Sequence, residues 1–286
     1  MLMNPYMVKG GFNPLEVSAV KGWYATPNRA SRRQGSFTSN QNLDGDTHIY
    51  ALANSVAAAP RLWQGTNEDW VPAYVSGNGT INNSYGDVYN GHANWLSSLE
   101  AGKPYAASPE NAASFPIGST EGWIIGYFSP QYQYYSGDLI LFGYGGSNAR
   151  CIGLRSTNPG SQDYCYPTIS LSNGGSAIKV GATERRSQHL LIEAHFVNGA
   201  HELWINGVKD GASVSGTLNT DDTAVSMFRG PNTTAAIGCG EIGTVFVTGA
   251  LTSDEREKLQ GFVAWTHGRP NDFLPSGHAY RSIDPR

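Results

Sequence analysis

The sequence has few charged residues and no long apolar run. Lys, Arg, Asp and Glu together make up 15% of its 286 residues, and the net charge is −4. A chain without a basic excess lacks the field that attracts nucleic acid or an anionic membrane surface. No stretch approaches the roughly 18 uncharged apolar residues of a membrane-spanning helix. We therefore expect no nucleic-acid partner and no membrane insertion.

Cysteine is also scarce. The chain has three, Cys151, Cys165 and Cys239, and their spacing matches no metal-binding pattern. We interpret them as reduced, mostly buried thiols, and a Cys151–Cys165 bridge is the open alternative. The first ten residues contain no apolar segment of signal-peptide length, so we expect folding in a cytoplasm.

Glycine and tyrosine, by contrast, are abundant, with 35 and 15 residues. Many glycines and aromatics with few charges are typical of short strands joined by tight turns. Short apolar runs recur after Gly118, and the clearest are Gly122–Phe128 and Asp138–Tyr144. Such spacing predicts an all-β sandwich or barrel. The Ala-, Ser- and Pro-rich stretch Asn94–Pro116 is predicted to be a long surface loop.

The clearest hairpin lies in HLLIEAHFVNGAHELWINGV, residues 189–208. Two strand-like runs flank Asn198-Gly199, and Asn206-Gly207 closes the second run. Asn-Gly favours the type I′ turn because both residues tolerate positive φ. The histidines on this hairpin are interpreted as half-exposed strand residues; they are His189, His195 and His201.

One strong helix is predicted near the end of the chain, over about residues 252–266. Thr252 and Glu255 fit a capping box, and acidic residues in the first turn suit the helix dipole. The apolar residues follow helical spacing and form one stripe of Leu259, Phe262 and Val263. Gly268 and Pro270 end the pattern.

Three segments of the C-terminal third occur in a specific order: ELWINGV, GCGEIGTVFVTGALTSDEREKLQGFVAW and FLPSGHAY. This order resembles the concanavalin A-like lectin/glucanase superfamily, and in particular laminin-G-like modules of tailed-phage virion proteins. The resemblance covers about residues 185–280. It implies a two-sheet antiparallel jelly-roll sandwich with one C-terminal α-helix that covers part of a sheet.

Motifs for catalysis are not found. Glucanases of this superfamily carry a Glu-x-Asp-x-x-Glu strand, which places both carboxylates on one face of a sheet. Here Glu193 and Glu241 are single acids with no acidic partner two or four residues away. Gly-x-Ser-x-Gly and His-Glu-x-x-His are absent as well. The sequence therefore predicts that the chain is not an enzyme.

A tyrosine-rich stretch, YFSPQYQYYSG at 127–137, is the candidate binding surface. Tyrosine offers contact area and a hydroxyl at low entropic cost, which suits sugar stacking or a protein interface. Packing of the loop against the sandwich is the third interpretation. The candidate carbohydrate- or partner-binding residues are Tyr127, Tyr132, Tyr134 and Tyr135.

No catalytic residue, metal site or cofactor is predicted. Asp44 and Asp46 are weak candidates for Ca²⁺, because this ion prefers clustered carboxylates. The same segment also matches a common turn.

These features and the resemblance predict a non-enzymatic virion surface protein of a bacteriophage, either a capsid decoration or head-fibre protein or a tail adhesin. Residues 1–20 would be an N-terminal arm, and residues 21–286 a single lectin-like domain. The expected partners are other virion proteins, further copies of the chain in a homo-oligomer such as a trimer, and a host glycan. Assembly would occur in the host cytoplasm. The alternatives are a bacterial carbohydrate-binding adhesin module and a polysaccharide-active enzyme with an unrecognised site.

Overall fold

The computed structural model describes 11–24, 112–130, 137–156, 165–172, 177–185, 188–227 and 240–286, with short strand segments between 47 and 108. The described strands are, in chain order, β1 Val20–Tyr24, β2 Thr47–His48, β3 Ala51–Leu52, β4 Leu62–Trp63, β5 Ala73–Val75, β6 Trp95–Ser98, β7 Ala106–Ser108, β8 Gly122–Pro130, β9 Gly137–Tyr144, β10 Arg150–Ser156, β11 Cys165–Ser170, β12 Ala177–Val180, β13 Leu190–Phe196, β14 Glu202–Ile205, β15 Val208–Lys209, β16 Val225–Met227 and β17 Gly240–Thr248. A 3₁₀ turn spans Pro14–Glu16, and two helices follow the last strand, α1 Ser253–Thr266 and α2 Pro270–Phe273.

The strands form two antiparallel sheets. Within the described residues, sheet A has nine strands in the order β15-β14-β13-β8-β17-β6-β5-β2, and β1 pairs with the second half of β17. Sheet B has eight described strands in the order β12-β11-β10-β9-β16-β7-β4-β3. The fold is the predicted jelly-roll sandwich with a C-terminal helix.

The main core lies between the sheets. Alternate residues of each strand point inward, because successive side chains of a strand face opposite sides. On β13 this puts Leu190, Ile192, Ala194 and Phe196 into the core. Leu191, Glu193 and His195 therefore point to the outer face of sheet A.

Helix α1 packs on that outer face. Its apolar stripe of Leu259, Phe262 and Val263 joins a second buried cluster with Trp23 and Phe246 of sheet A. Burial of side chains of this size stabilises the fold by roughly 1.5–3 kcal/mol each. The predicted capping box is present, since Thr252 Oγ1 accepts from the Glu255 amide and Glu255 Oε2 accepts from the Thr252 amide. No helix in the described part of the chain is long and apolar enough to cross a membrane.

The turns of the hairpin differ from each other. At Asn206 and Gly207 both φ angles are positive, 52° and 74°, as the predicted type I′ turn requires. At the first turn only Gly199 is left-handed, with a φ of 85°. Asn198 instead uses its side-chain oxygen to accept a hydrogen bond from the Leu218 amide at 3.0 Å.

The stretch Asn94–Pro116 corrects a prediction. The sequence predicts a surface loop here, but the stretch contains β6 and β7, and Ala112 and Phe115 are buried. Local composition misled here because Ala- and Ser-rich strands are held by their neighbours rather than by their own propensity. Cys151 is a free, buried thiol, in keeping with the predicted reduced state.

Candidate functional site

The structure places the predicted tyrosines differently from the sequence. Tyr127 lies within β8, and its side chain is fully buried. Its hydroxyl is hydrogen-bonded to Nδ1 of His189, and its ring stacks on His267 with centroids 4.3 Å apart. The prediction of a surface-exposed loop ring is therefore wrong for Tyr127, because β8 extends to Pro130. The other site candidates lie outside the described residues: Tyr132, Tyr134, Tyr135, Asp44 and Asp46.

The outer face of sheet A instead holds a cluster of charged and aromatic side chains. The register of β13 and β14 places Glu193 opposite Trp204 and His195 opposite Glu202. On the other side of β13, His195 lies opposite Trp123 of β8. Alternation along each strand puts these side chains on one face, which we call the carboxylate–tryptophan cluster.

His195 stands at the open end of this cluster, between two carboxylates. Its Nε2 lies 2.8 Å from Oε1 of Glu121, and its Nδ1 lies 3.5 Å from Oε2 of Glu202. The imidazole stacks on Trp123, with ring centroids 3.8 Å apart and an interplanar angle of 7°. The side chains of Glu121 and Glu202 are 41% and 21% exposed, so solvent reaches both carboxylates.

Glu202 is surrounded by hydrogen-bond donors. Lys209 Nζ lies 2.6 Å from its Oε1, Ser213 Oγ donates to the same oxygen, and Trp204 Nε1 donates to Oε2 at 3.1 Å. Partial burial raises the pKa of Glu202, but these donors outweigh it and lower the pKa to about 2. Glu202 is therefore ionised at any ordinary pH.

Glu193 forms the closed end of the cluster, beneath α1. It is fully buried, and Gln260 Nε2 donates to its Oε1 at 2.7 Å. Arg256 Nε lies 3.7 Å from its Oε2, which is too long for a hydrogen bond. Burial raises the pKa of Glu193 to about 7, although Arg256 and Gln260 act against this rise. Glu193 therefore exchanges a proton near neutral pH.

Arg256 joins the two ends. Its guanidinium lies 3.9 Å from the centroid of the Trp204 ring and 5.2 Å from that of Trp123. A cation held over aromatic faces in this way is attracted by the ring quadrupoles. Trp204 itself is half-buried, so it gives the open end an apolar border.

The cluster combines carboxyl groups of very different pKa on one sheet face. It holds one ionised carboxylate, Glu202, and one buried carboxyl with a raised pKa, Glu193. Because Glu193 is fully buried, it cannot exchange a proton with a substrate directly. Only the open end reaches solvent, so a substrate would meet Glu121, His195 and Glu202. Among the described residues, no group of three or more His, Cys, Asp or Glu has the arrangement of a metal site.

Spacing along a single strand does not reveal this cluster. Glu193 has no acidic partner two or four residues away, because Glu202 lies across the hairpin. The signal was nevertheless present, since pairing residues equally distant from Asn198-Gly199 aligns His195 with Glu202. Arg256 and Gln260 come from α1, and nothing local in their sequence shows which sheet face they contact.

No protein-family model and no curated protein matches the chain. Solved structures match its fold. An arabinofuranosidase in complex with arabinofuranosyl-α-1,2-xylobiose has a TM-score of 0.52, and a GH54 α-L-arabinofuranosidase soaked with a cyclic sulfate inhibitor has 0.54, each at 11% identity. Both alignments cover 78% of this chain and 52% of the other, so the chain spans about half the length of these enzymes. A Trypanosoma rangeli sialidase matches 83% of the chain, with 12% identity, a TM-score of 0.47 and 32% of its own length covered.

The two arabinofuranosidase likenesses show the fold alone, a two-sheet β-sandwich. They also correct two predictions, because the matching structures are carbohydrate-active enzymes. The prediction of a non-enzymatic bacteriophage virion protein is wrong, and so is the prediction that the chain is not an enzyme. The alternative of a polysaccharide-active enzyme is favoured instead. The absence of the glucanase motif excluded only a catalytic pair on one strand. It did not exclude a site whose carboxylates come from several strands.

Proposed function

We propose that the chain is a carbohydrate-active enzyme that hydrolyses a glycosidic bond in a polysaccharide. The observation that carries this proposal is the fold match to two arabinofuranosidase structures over 78% of the chain. The carboxylate–tryptophan cluster supports it, because glycoside hydrolysis needs two groups that divide the roles of acid and base or nucleophile. A polymer or oligomer containing arabinose is the first substrate to test.

We assign these roles to side chains at the open end of the cluster. Glu202 is ionised and accepts a proton from the attacking water as its oxygen bonds to the anomeric carbon. Glu121, which lies on the other side of His195 from Glu202, donates a proton to the departing sugar oxygen as the glycosidic bond breaks. His195 then passes the proton from Glu202 back to Glu121, because its Nδ1 faces Glu202 and its Nε2 faces Glu121.

Binding in this proposal uses the apolar border of the site. The half-buried Trp204 offers carbon surface to a sugar ring, while Glu202 and Lys209 offer an acceptor and a donor for sugar hydroxyls. Sites of this kind combine apolar contact with a few oriented polar groups.

The experiment measures release of nitrophenol from 4-nitrophenyl α-L-arabinofuranoside and of reducing ends from arabinan and arabinoxylan. Glu202→Gln keeps the shape of the side chain but removes its charge, and we expect turnover to fall roughly 10²- to 10⁴-fold. Glu16→Gln is the matched control, because Glu16 is an exposed glutamate outside the cluster. Its turnover should equal that of the unaltered chain.

Two results would contradict the proposal. One is no hydrolysis of any of the three substrates, including the case in which the chain binds immobilised arabinan without cleaving it. The other is hydrolysis that Glu202→Gln leaves unchanged, which would move the chemistry away from this cluster.

A further inference from the structure

The buried ion pair beneath α1 is incomplete. Oε2 of Glu193 and Nε of Arg256 face each other at 3.7 Å, and neither atom has a hydrogen-bond partner. Buried polar atoms of this kind usually have a partner, and leaving one unsatisfied costs free energy. The guanidinium is therefore held by charge and by ring contacts rather than by directional hydrogen bonds to the carboxylate.

Arg256 is subject to two attractions that depend differently on pH. The Trp204 ring attracts the guanidinium at 3.9 Å whatever the state of the carboxyl. Glu193 attracts it strongly only when ionised, because the interaction between two charges is large in a buried setting. The balance between carboxylate and ring therefore changes when Glu193 gains or loses its proton.

The ring contacts carry this change to the open end. Trp204 donates its Nε1 hydrogen bond to Glu202. Trp123, also beneath Arg256, stacks on His195 at 3.8 Å. A displaced guanidinium therefore changes the ring contacts that hold Glu202 and His195 in place.

We propose that Glu193 is a positioning residue whose proton determines whether Arg256 is drawn to the carboxylate or rests on Trp204, and that this sets the geometry around His195 and Glu202. Its effect on turnover rests on the proposed function. The displacement of Arg256 does not, since it needs no substrate.

Other titratable groups lie near Glu193 and must be separated from it. They are His195 on the same strand, Glu202 on β14, Glu121 before β8, Glu257 on α1 beside Arg256, and His278 in the C-terminal tail. His278 reaches Glu193 through Gln260, whose Oε1 lies 2.9 Å from its Nε2. Glu202 stays ionised throughout, because its pKa is about 2.

The test labels the chain with 5-fluorotryptophan and follows its fluorine NMR spectrum from about pH 5.5 to about pH 8.5, either side of neutral. Trp204→Phe assigns the Trp204 resonance. Trp23, which packs on Phe246 and Phe262, is the internal reference. We expect the Trp204 resonance to shift with a midpoint near neutral pH, and the shift to vanish in Glu193→Gln.

Histidine variants complete the test. The shift should persist in His195→Gln and in His278→Gln. If the shift of the Trp204 resonance persisted in Glu193→Gln or vanished in either histidine variant, a group other than Glu193 would cause it, and the proposal would be overturned. A Trp204 resonance of the unaltered chain that does not move over this range would also overturn it. The NMR outcome is independent of substrate, so it stands or fails separately from glycoside hydrolysis.

Discussion

The two glutamates of the β13–β14 hairpin can be compared directly, because they share a sheet face and differ in what surrounds them. Glu193 lies under α1, fully buried, with one hydrogen-bond donor, and its pKa is raised to about 7. Glu202 lies beyond the helix, partly exposed, with several donors, and its pKa is lowered to about 2. The same side chain therefore becomes a proton carrier at one end of the cluster and a fixed charge at the other.

The difference between the two glutamates arises from α1, which covers one end of the cluster and leaves the other open. Burial disfavours the charged form of a carboxyl, while donors to its oxygens favour it. Helix α1 supplies burial to Glu193 and only Gln260 as a donor, whereas β14, β15 and the following loop supply donors to Glu202. A helix that is mainly architecture thus also sets the chemistry of the face it covers.

The largest effect is expected from removing the charge that faces Glu193. Arg256→Met should destabilise the fold by about 3–5 kcal/mol above neutral pH, because it leaves a buried carboxylate unpaired. The loss should be smaller near pH 5, where Glu193 is protonated in the folded state. Urea unfolding of both proteins at the two pH values measures the difference.

A double variant controls this prediction. Arg256→Met with Glu193→Gln removes both charges, and replacing a buried pair as a whole is often close to neutral. The double variant should recover most of the stability lost at high pH. Equal destabilisation in the single and double variants would mean that the ring contacts of Arg256, and not its charge, matter for stability.

The next prediction concerns Glu193 alone. The pKa of Glu193 is about 7 in the folded protein and 4.5 in the unfolded chain. The stability that this difference contributes is therefore fully present below pH 4.5 and is lost as the pH rises through 7. By linkage the loss amounts to roughly 3 kcal/mol. Glu193→Gln cannot ionise, so its stability relative to the parent chain should rise by that amount between acidic and mildly alkaline pH. Parallel slopes of stability against pH for the two proteins would contradict the raised pKa.

The sequence predicted the elements whose signals are local. The capping box at Thr252, the apolar stripe of α1 and the turn at Asn206 all depend on residues close together in the chain. The sandwich itself followed from the order of motifs in the C-terminal third. The strands β6 and β7 were missed because their pairing depends on distant strands.

The site was missed for a related physical reason. Glu193 and Glu202 meet across a hairpin, and Arg256 arrives from a helix after the last strand. A search along one strand detects neither relation. Tyr127 was misplaced because a strand that continues to Pro130 buries a ring that a loop would expose.

A milder change acts on the helix rather than on the cluster. Thr252→Ala removes the N-cap of α1, which should cost about 1 kcal/mol. Arg256 follows Thr252 by one turn, so fraying of the first turn of α1 should loosen the contacts of Glu193 and leave those of Glu202 unchanged. Amide hydrogen exchange would show this as faster exchange in the first turn of α1, with β14 unchanged. Faster exchange in β14 as well would mean that the two ends are not separated by the helix.

The smallest expected effect tests the open end. Lys209→Met removes the closest donor to Glu202, at 2.6 Å, but the lysine side chain is 35% exposed and the pair is partly screened by solvent. Exposed and half-exposed ion pairs contribute about 0.2–1 kcal/mol, so stability should change by no more than this. The pKa of Glu202 should nevertheless rise, because the hydrogen bond from Lys209 is lost. The hydrogen bonds from Ser213 and Trp204 remain and limit this rise. Carbon-detected NMR of the Glu202 carboxyl measures the rise. An unchanged pKa would show that the neutral donors alone keep Glu202 ionised. A loss of stability as large as that of Arg256→Met would contradict the view that the exposed pair contributes less than the buried pair.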